Sequence, residues 1–210
     1  MPSFDRLYEA AYLINLADRT DRLRAAAAAL QGAAIRYERF PGCPDRDGQT
    51  GCYNSHRALL ALAAMRGQTT LIMEDDLIIT PRFRAAADAY AQAIGELPGW
   101  DLVFFYCSDA NQVRGTTKLL ARTPTYCTHF YLVNGPRAAR VLALVDRCRG
   151  AIDQIYIRLA LAGELFSLCT TEQLVLQDTS RSDVRPTPWP AGSYAGIFAD
   201  RDAASGPAAE

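Results

Sequence analysis

In the first half of the sequence, three short apolar runs alternate with two longer stretches rich in helix formers. Ala10 to Leu16, Ile35 to Phe40 and Thr69 to Met73 have the length and character of buried strands. Between them, Leu23 to Leu30 and Cys52 to Met65 carry the helix formers, and Gly32 and Arg66-Gly67 stop them. Asp18, with Asp21 three residues on, reads as the cap of the first helix. Strand and helix in alternation demand connections that cross over a sheet, so the chain is expected to form a largely parallel sheet covered by helices. Beyond Thr80-Pro81, which opens a further helix to Leu97, the pattern loosens. Strands are expected at Asp101 to Cys107, Leu119 to Ala121, Tyr126 to Val133, Glu164 to Cys169 and Gln173 to Leu176, with helices over 137–147 and from Asp153 to Leu161, which makes the second half mixed.

At 210 residues one α/β domain is expected, spanning 1–200, with a disordered tail over 201–210 where apolar groups are too few to offset the ordering entropy. The net charge of −1 offers no field for a polyanion, so no nucleic-acid partner is expected. The six cysteines contain no C-x-x-C pair and spell out neither a zinc site nor a redox motif. The first 22 residues mix acids and arginines before any long apolar run, so neither a secretory signal nor a membrane span is expected. A cytoplasmic location follows as an expectation, compatible with peripheral contact with a membrane.

The most informative local feature is Leu71-Ile72-Met73-Glu74-Asp75-Asp76, an apolar strand delivered into three acids. Adjacent carboxylates repel unless solvent or a cation separates them. Oxygen ligands suit Mg²⁺ or Mn²⁺, and an ion held by one or two carboxylates keeps positions free for substrate phosphates. On an extended segment Glu74 and Asp76 would point one way and Asp75 the other. A solvated acidic turn after a strand reads the same in sequence. Ligands of such sheets bind at the carboxyl ends of strands, where Asn15 also falls.

Three stretches together resemble glycosyltransferase family 25, which includes lipopolysaccharide-biosynthesis and collagen galactosyltransferases. They are Tyr12-Leu13-Ile14-Asn15-Leu16 with Asp18-Arg19 and Asp21-Arg22, then Gly51-Cys52-Tyr53-Asn54-Ser55-His56, then Ile72-Met73-Glu74-Asp75-Asp76. The match continues more loosely through Thr128-His129-Phe130-Tyr131-Leu132-Val133, the isolated Asp153 and Ser182-Asp183. Family members usually carry an acid just before the Gly-Cys pair, where this chain has Gln49-Thr50.

The resemblance implies a GT-A-like fold and a metal-dependent, inverting transfer of a hexose, most plausibly galactose from a UDP-sugar, to a glycan or glycolipid acceptor such as a lipopolysaccharide core sugar. Glu74 and Asp76 would hold Mn²⁺ or Mg²⁺, with Asp76 the first choice as direct ligand. Asn15, Arg19, Arg22, Ser55, His56 and Asp75 would bind the donor, the first three from the end of the first strand and the loop and helix after it. Ser55 and His56 are expected to open a helix whose amides face phosphate, although capping and packing roles fit them as well. Inversion needs a general base, for which Asp153 is the candidate, and a helix-capping role is its plain alternative. His129, within an apolar aromatic strand, reads as a hydrogen-bonded core residue. Pro41 to Thr50 reads as a mobile loop over the donor. Two other readings stay open, a different metal-dependent nucleotide-using transferase and a sugar-nucleotide-binding domain without activity.

Overall fold

The computed structural model describes residues 3–107, 117–122 and 125–178, so Ser182-Asp183 and the tail over 201–210 lie outside the described residues. The first half follows the expected alternation: β1 (Ala10–Asn15), α1 (Thr20–Gly32), β2 (Glu38–Pro41), α2 (Gly48–Arg66) and β3 (Thr70–Glu74). A three-residue strand, β4 (Leu77–Ile79), then precedes α3 (Pro81–Gly95). The remainder contributes β5 (Leu102–Phe104), β6 (Leu120–Ala121), β7 (Phe130–Val133), α4 (Gly135–Asp146), α5 (Ile152–Leu161), β8 (Ser167–Thr170) and β9 (Val175–Gln177).

Seven strands form one sheet in the order β2-β1-β3-β7-β5-β8-β6. The pairs β1–β2, β1–β3 and β5–β8 are parallel, whereas β7 runs antiparallel to both β3 and β5, and β6 to β8. Five strands thus share one direction and two oppose it, as expected of a mainly parallel sheet with a mixed second half. β4 and β9 make a separate two-stranded antiparallel sheet.

Strand side chains alternate between the two faces, and each face has its own core. Leu13, Leu71, Met73, Val103 and Phe130 pack with Ala26 and Leu30 of α1 and Phe83, Ala87 and Tyr90 of α3. Tyr12, Ile72, Leu102, Phe104 and Tyr131 pack with Leu59, Leu60 and Ala63 of α2, Val141 and Val145 of α4, and Ile155 and Tyr156 of α5. Each fully buried Leu, Ile or Phe contributes about 1.5–3 kcal/mol, so the packing of both faces holds the sheet between helical layers. Among the described residues no helix is long and apolar enough to cross a membrane.

Two helix starts differ from the sequence expectation. α1 is entered at Arg19 rather than Asp18, and Arg19 makes no side-chain cap. α2 begins at Gly48, seven residues before Ser55, because Asp47 caps it by accepting from the amides of Gln49 and Thr50. The Pro41 to Thr50 loop therefore shrinks to residues 42–47. That connection is tied down by Gly42 N donating to Asn15 O (3.1 Å) and by Cys43 N donating to Ser55 Oγ (2.8 Å).

Candidate active site

From β1 the chain moves outward to β2, and from β3 it moves the other way along the sheet. The carboxyl ends of β1 and β3 are therefore neighbours whose connections diverge, the kind of switch point at which ligands of such sheets bind. Asn15 ends β1 and Glu74 ends β3, with Ile14 in register with Glu74. The antiparallel β7 enters this end of the sheet, and Glu74 N donates to His129 O (3.0 Å), which brings Thr128 beside Glu74.

The three acids have separate surroundings. Asp75 accepts from Asn15 Nδ2 (2.6 Å) and from Arg22 Nη1 (3.3 Å), and Asn15 Nδ2 also donates to Arg19 O (2.9 Å). Asn15, Arg19, Arg22 and Asp75 are thus drawn together at the end of β1. Burial raises the Asp75 carboxyl above its ordinary value, against the lowering effect of its bonds to Asn15 and Arg22. Asp75 does face apart from its neighbours, although the cause is a turn at Asp75-Asp76 and not an extended strand.

Glu74 points into the protein. Its Oε1 accepts from His56 Nε2 (3.1 Å) and from Thr128 Oγ1 (2.6 Å). Burial works to raise this carboxyl, but the bonds from His56 and Thr128 hold it below its ordinary value. A carboxylate only accepts, so His56 Nε2 carries the proton toward it. In the neutral ring Nδ1 then accepts from the Tyr131 hydroxyl (2.9 Å), which lies 3.2 Å from the Tyr156 hydroxyl. A buried chain thus runs from α5 through β7 and α2 to the end of β3.

Asp76 is the least satisfied of the three. It is 9% exposed, its Oδ2 accepts from Gln177 Nε2 (3.0 Å), and its Oδ1 is buried with no partner. Burial first, and then the negative charge of Glu74, push its carboxyl up to about 8. The pairing of β4 with β9 sets Gln177 opposite Leu77, and Asp178 N donates to Asp76 O (2.7 Å). Asn15 Oδ1 is likewise buried without a partner.

Asp153 is the second residue of α5, whose cap is Ala151. It still serves the helix start, since its Oδ1 accepts from the amide of Gln154 (2.7 Å), and an acid in a first helical turn is favoured by the helix dipole. Its neighbourhood is the acidic cluster. The Cys52 thiol is pushed well up by burial and then by the charges of Glu74, Asp153 and Asp76, and the Tyr126 hydroxyl is raised by burial and by Asp153.

Ser55 and His56 do not open a helix, since both lie buried in the interior of α2. Ser55 Oγ donates to Gly51 O (2.8 Å) and accepts from Cys43 N, so it fastens the 42–47 connection to the helix. Their amides are spent on α2 itself, so the phosphate-facing expectation for them is corrected. His129 is a core residue, as expected, with Nε2 donating to Val175 O (3.1 Å).

Sequence reasoning missed the roles of Thr128, Tyr131, Tyr156 and Gln177. The first two stand inside the Thr128 to Val133 stretch, which carried the family likeness without a role. Nothing local marked the others. It also missed that Cys52, His56 and Glu74 bring a sulfur, a nitrogen and an oxygen within 4.8 Å of one another.

No family model matches the chain. It is similar to a glycosyltransferase 25 family member of Aedes aegypti, at 28% identity over 101 residues, 45% of this chain and 17% of the relative. The match thus spans about a sixth of that protein's own length. Among solved structures the chain is similar to a glycosyltransferase involved in the glycosylation of the major capsid of PBCV-1, with a TM-score of 0.52 and 9% identity, covering 82% of this chain and 94% of that one. The structural likeness bears on the fold alone, and the sequence relative supports the resemblance to glycosyltransferase family 25.

Proposed function

We propose that the chain is a metal-dependent glycosyltransferase that moves a hexose, most plausibly galactose, from a UDP-sugar to a glycan or glycolipid acceptor such as a lipopolysaccharide core sugar, in the cytoplasm. The observation that carries this reading is the buried, unpartnered Oδ1 of Asp76, just past the carboxyl end of β3 and within the field of Glu74 and Asp75. A buried carboxylate oxygen without a partner is costly unless something positive completes it.

The donor set suits a hard divalent ion. Asp76 would hold Mn²⁺ or Mg²⁺ directly, with Glu74 adding negative charge beside it. The chemistry that such an ion supplies is neutralisation of the charge gathering on the diphosphate leaving group. Asn15, Arg22 and Asp75 form the polar surface for the nucleotide, and Arg19 presents its carbonyl to the same cluster. Ser55 and His56 serve the donor site from beneath, Ser55 by fixing the 42–47 connection and His56 by orienting Glu74.

Asp153 takes the proton from the acceptor hydroxyl. An inverting displacement needs a base on the face opposite the leaving group, and the helix start at Ala151 brings this acid toward the cluster from α5. Tyr126, whose hydroxyl feels Asp153, lies on the same side.

The experiment is a calorimetric titration with UDP in the presence and absence of Mn²⁺, followed by analysis of UDP-galactose turnover. Metal-enhanced UDP binding with release of UDP supports the reading. Pyrophosphate as product would indicate a nucleotidyltransferase, and binding without turnover a domain that has lost the reaction.

A further inference from the structure

We infer that Cys52, His56 and Glu74 form a second cation site, selective for a thiophilic dication such as zinc and distinct from the hard-ion site at Asp76. Cys52 and His56 stand one turn apart on α2, four residues in sequence, and so share a face. That face meets the end of β3, where Glu74 closes the group, and the three donor atoms lie within 4.8 Å of one another. His56 Nε2 and Glu74 Oε1 are 3.1 Å apart. Two ligands each bound at about 2.0–2.2 Å to one zinc ion are separated by roughly that distance. The thiolate bond is about 2.3 Å, so the sulfur closes the site by moving on the order of 1 Å, within reach of a side-chain rotation.

Three further features separate this cluster from a chance meeting of core residues. The outer partners of a metal site are already placed, with Tyr131 against Nδ1 of His56 and Thr128 against Glu74; an ion at Nε2 takes the other tautomer, in which the ring proton sits on Nδ1 and is donated to the Tyr131 hydroxyl. Cys52 lies at the edge of the core, partly exposed as a whole residue although burial raises its thiol. The local charge is negative, because Glu74, Asp76 and Asp153 all act on the Cys52 thiol. A dication reverses that penalty and displaces the thiol proton to solvent.

The donors also decide the class of ion. Sulfur and imidazole nitrogen with a single carboxylate favour zinc, cobalt and their neighbours over magnesium or manganese. An ion there recruits Glu74, whose charge otherwise stands beside Asp76. Occupation of this site therefore opposes occupation of the hard-ion site, and zinc acts as an antagonist of Mn²⁺ on the same protein.

The test is an optical titration of the reduced, metal-free protein with Co²⁺, which reports a bound thiolate by its charge-transfer absorption in the near ultraviolet. One equivalent of Co²⁺ producing that band, displaced by Zn²⁺ and unaffected by excess Mg²⁺, is expected. Cys52→Ser should abolish the band, and His56→Gln and Glu74→Gln should each weaken cobalt binding at least about 10-fold. Asp76→Asn should retain the band, which keeps this inference separable from the hard-ion reading. No band in the wild-type protein, or an equal band in Cys52→Ser, overturns the proposal. Circular dichroism of each variant establishes folding, and should Cys52→Ser fail to fold, an undiminished band in His56→Gln overturns it equally.

Discussion

Replacement of Asp76 by Asn tests the central charge argument, because it removes the ionisable group while nearly keeping its shape. Burial and the Glu74 charge raise this carboxyl from an ordinary 3.8 to about 8. A raised carboxyl favours the folded state only while protonated, so its contribution is fully present below about pH 4 and is lost as pH climbs through about 8. At about 1.4 kcal/mol per tenfold change in proton affinity, the full difference is on the order of 5 kcal/mol. Even half of it amounts to roughly 5–10 °C in Tm for a chain of this size. Metal-free wild type is therefore expected to lose stability relative to Asp76→Asn as the buffer is raised from about pH 5 to about pH 9. Near the upper end the variant should melt higher, although it lacks the carboxylate proposed as the metal ligand. Mn²⁺ should close about half of that gap, since an ion at 100 times its Kd adds about 2.7 kcal/mol to the wild type and nothing comparable to the variant. Thermal denaturation across this pH range, with and without Mn²⁺, supplies all four curves. Parallel pH profiles, or equal stabilisation of both proteins by Mn²⁺, would refute the buried-charge reasoning.

Three other substitutions probe separate parts of the site. Asp153→Asn should lower kcat by about 10²-fold or more with little change in UDP affinity, by steady-state kinetics and calorimetry, and equal losses in both would remove its role as base. Tyr131→Phe deprives His56 Nδ1 and the Tyr156 hydroxyl of a buried partner, and should cost ~1–3 kcal/mol in denaturant unfolding. An unchanged midpoint would show that the chain of hydroxyls does not support Glu74. Gly51→Ala places a Cβ 2.6 Å from the Cys43 carbonyl oxygen, and the forced shift should cost about 1–3 kcal/mol and speed hydrogen exchange over residues 42–47.

What the sequence made legible divides along physical lines. β1 and β3 are central strands buried on both faces, so they read as continuous apolar runs, and their polar ends gave Asn15 and the three acids directly. The start of α2 was illegible because Gly48-Gln49-Thr50-Gly51 carries two glycines and no apolar period. Its true signal was Asp47, a capping residue hidden among turn formers. β4 and β9 have three residues each and exist through pairing with one another, nearly a hundred positions apart. The strand expected at Gln173 to Leu176 overlaps β9, but nothing local announces β4 as its partner, so the meeting of Gln177 with Asp76 could not have been found.

The relation between the two most specific motifs was also invisible in one dimension, yet it explains why they occur together. The Gly-Cys-x-x-Ser-His segment and the Glu-Asp-Asp segment meet where His56 donates to Glu74. Gly51 permits the close approach of α2 to the Cys43 carbonyl, and Ser55 ties the same connection from one turn further along. Helix α2 is thereby set at the height that brings His56 level with the end of β3. The bonds from His56 and Thr128 keep Glu74 ionised, and its charge adds to burial in raising Asp76. The charge of an acid that the protein satisfies thus adds to the burial of a neighbour whose Oδ1 has no partner, which is the condition in which Asp76 gains most from a cation.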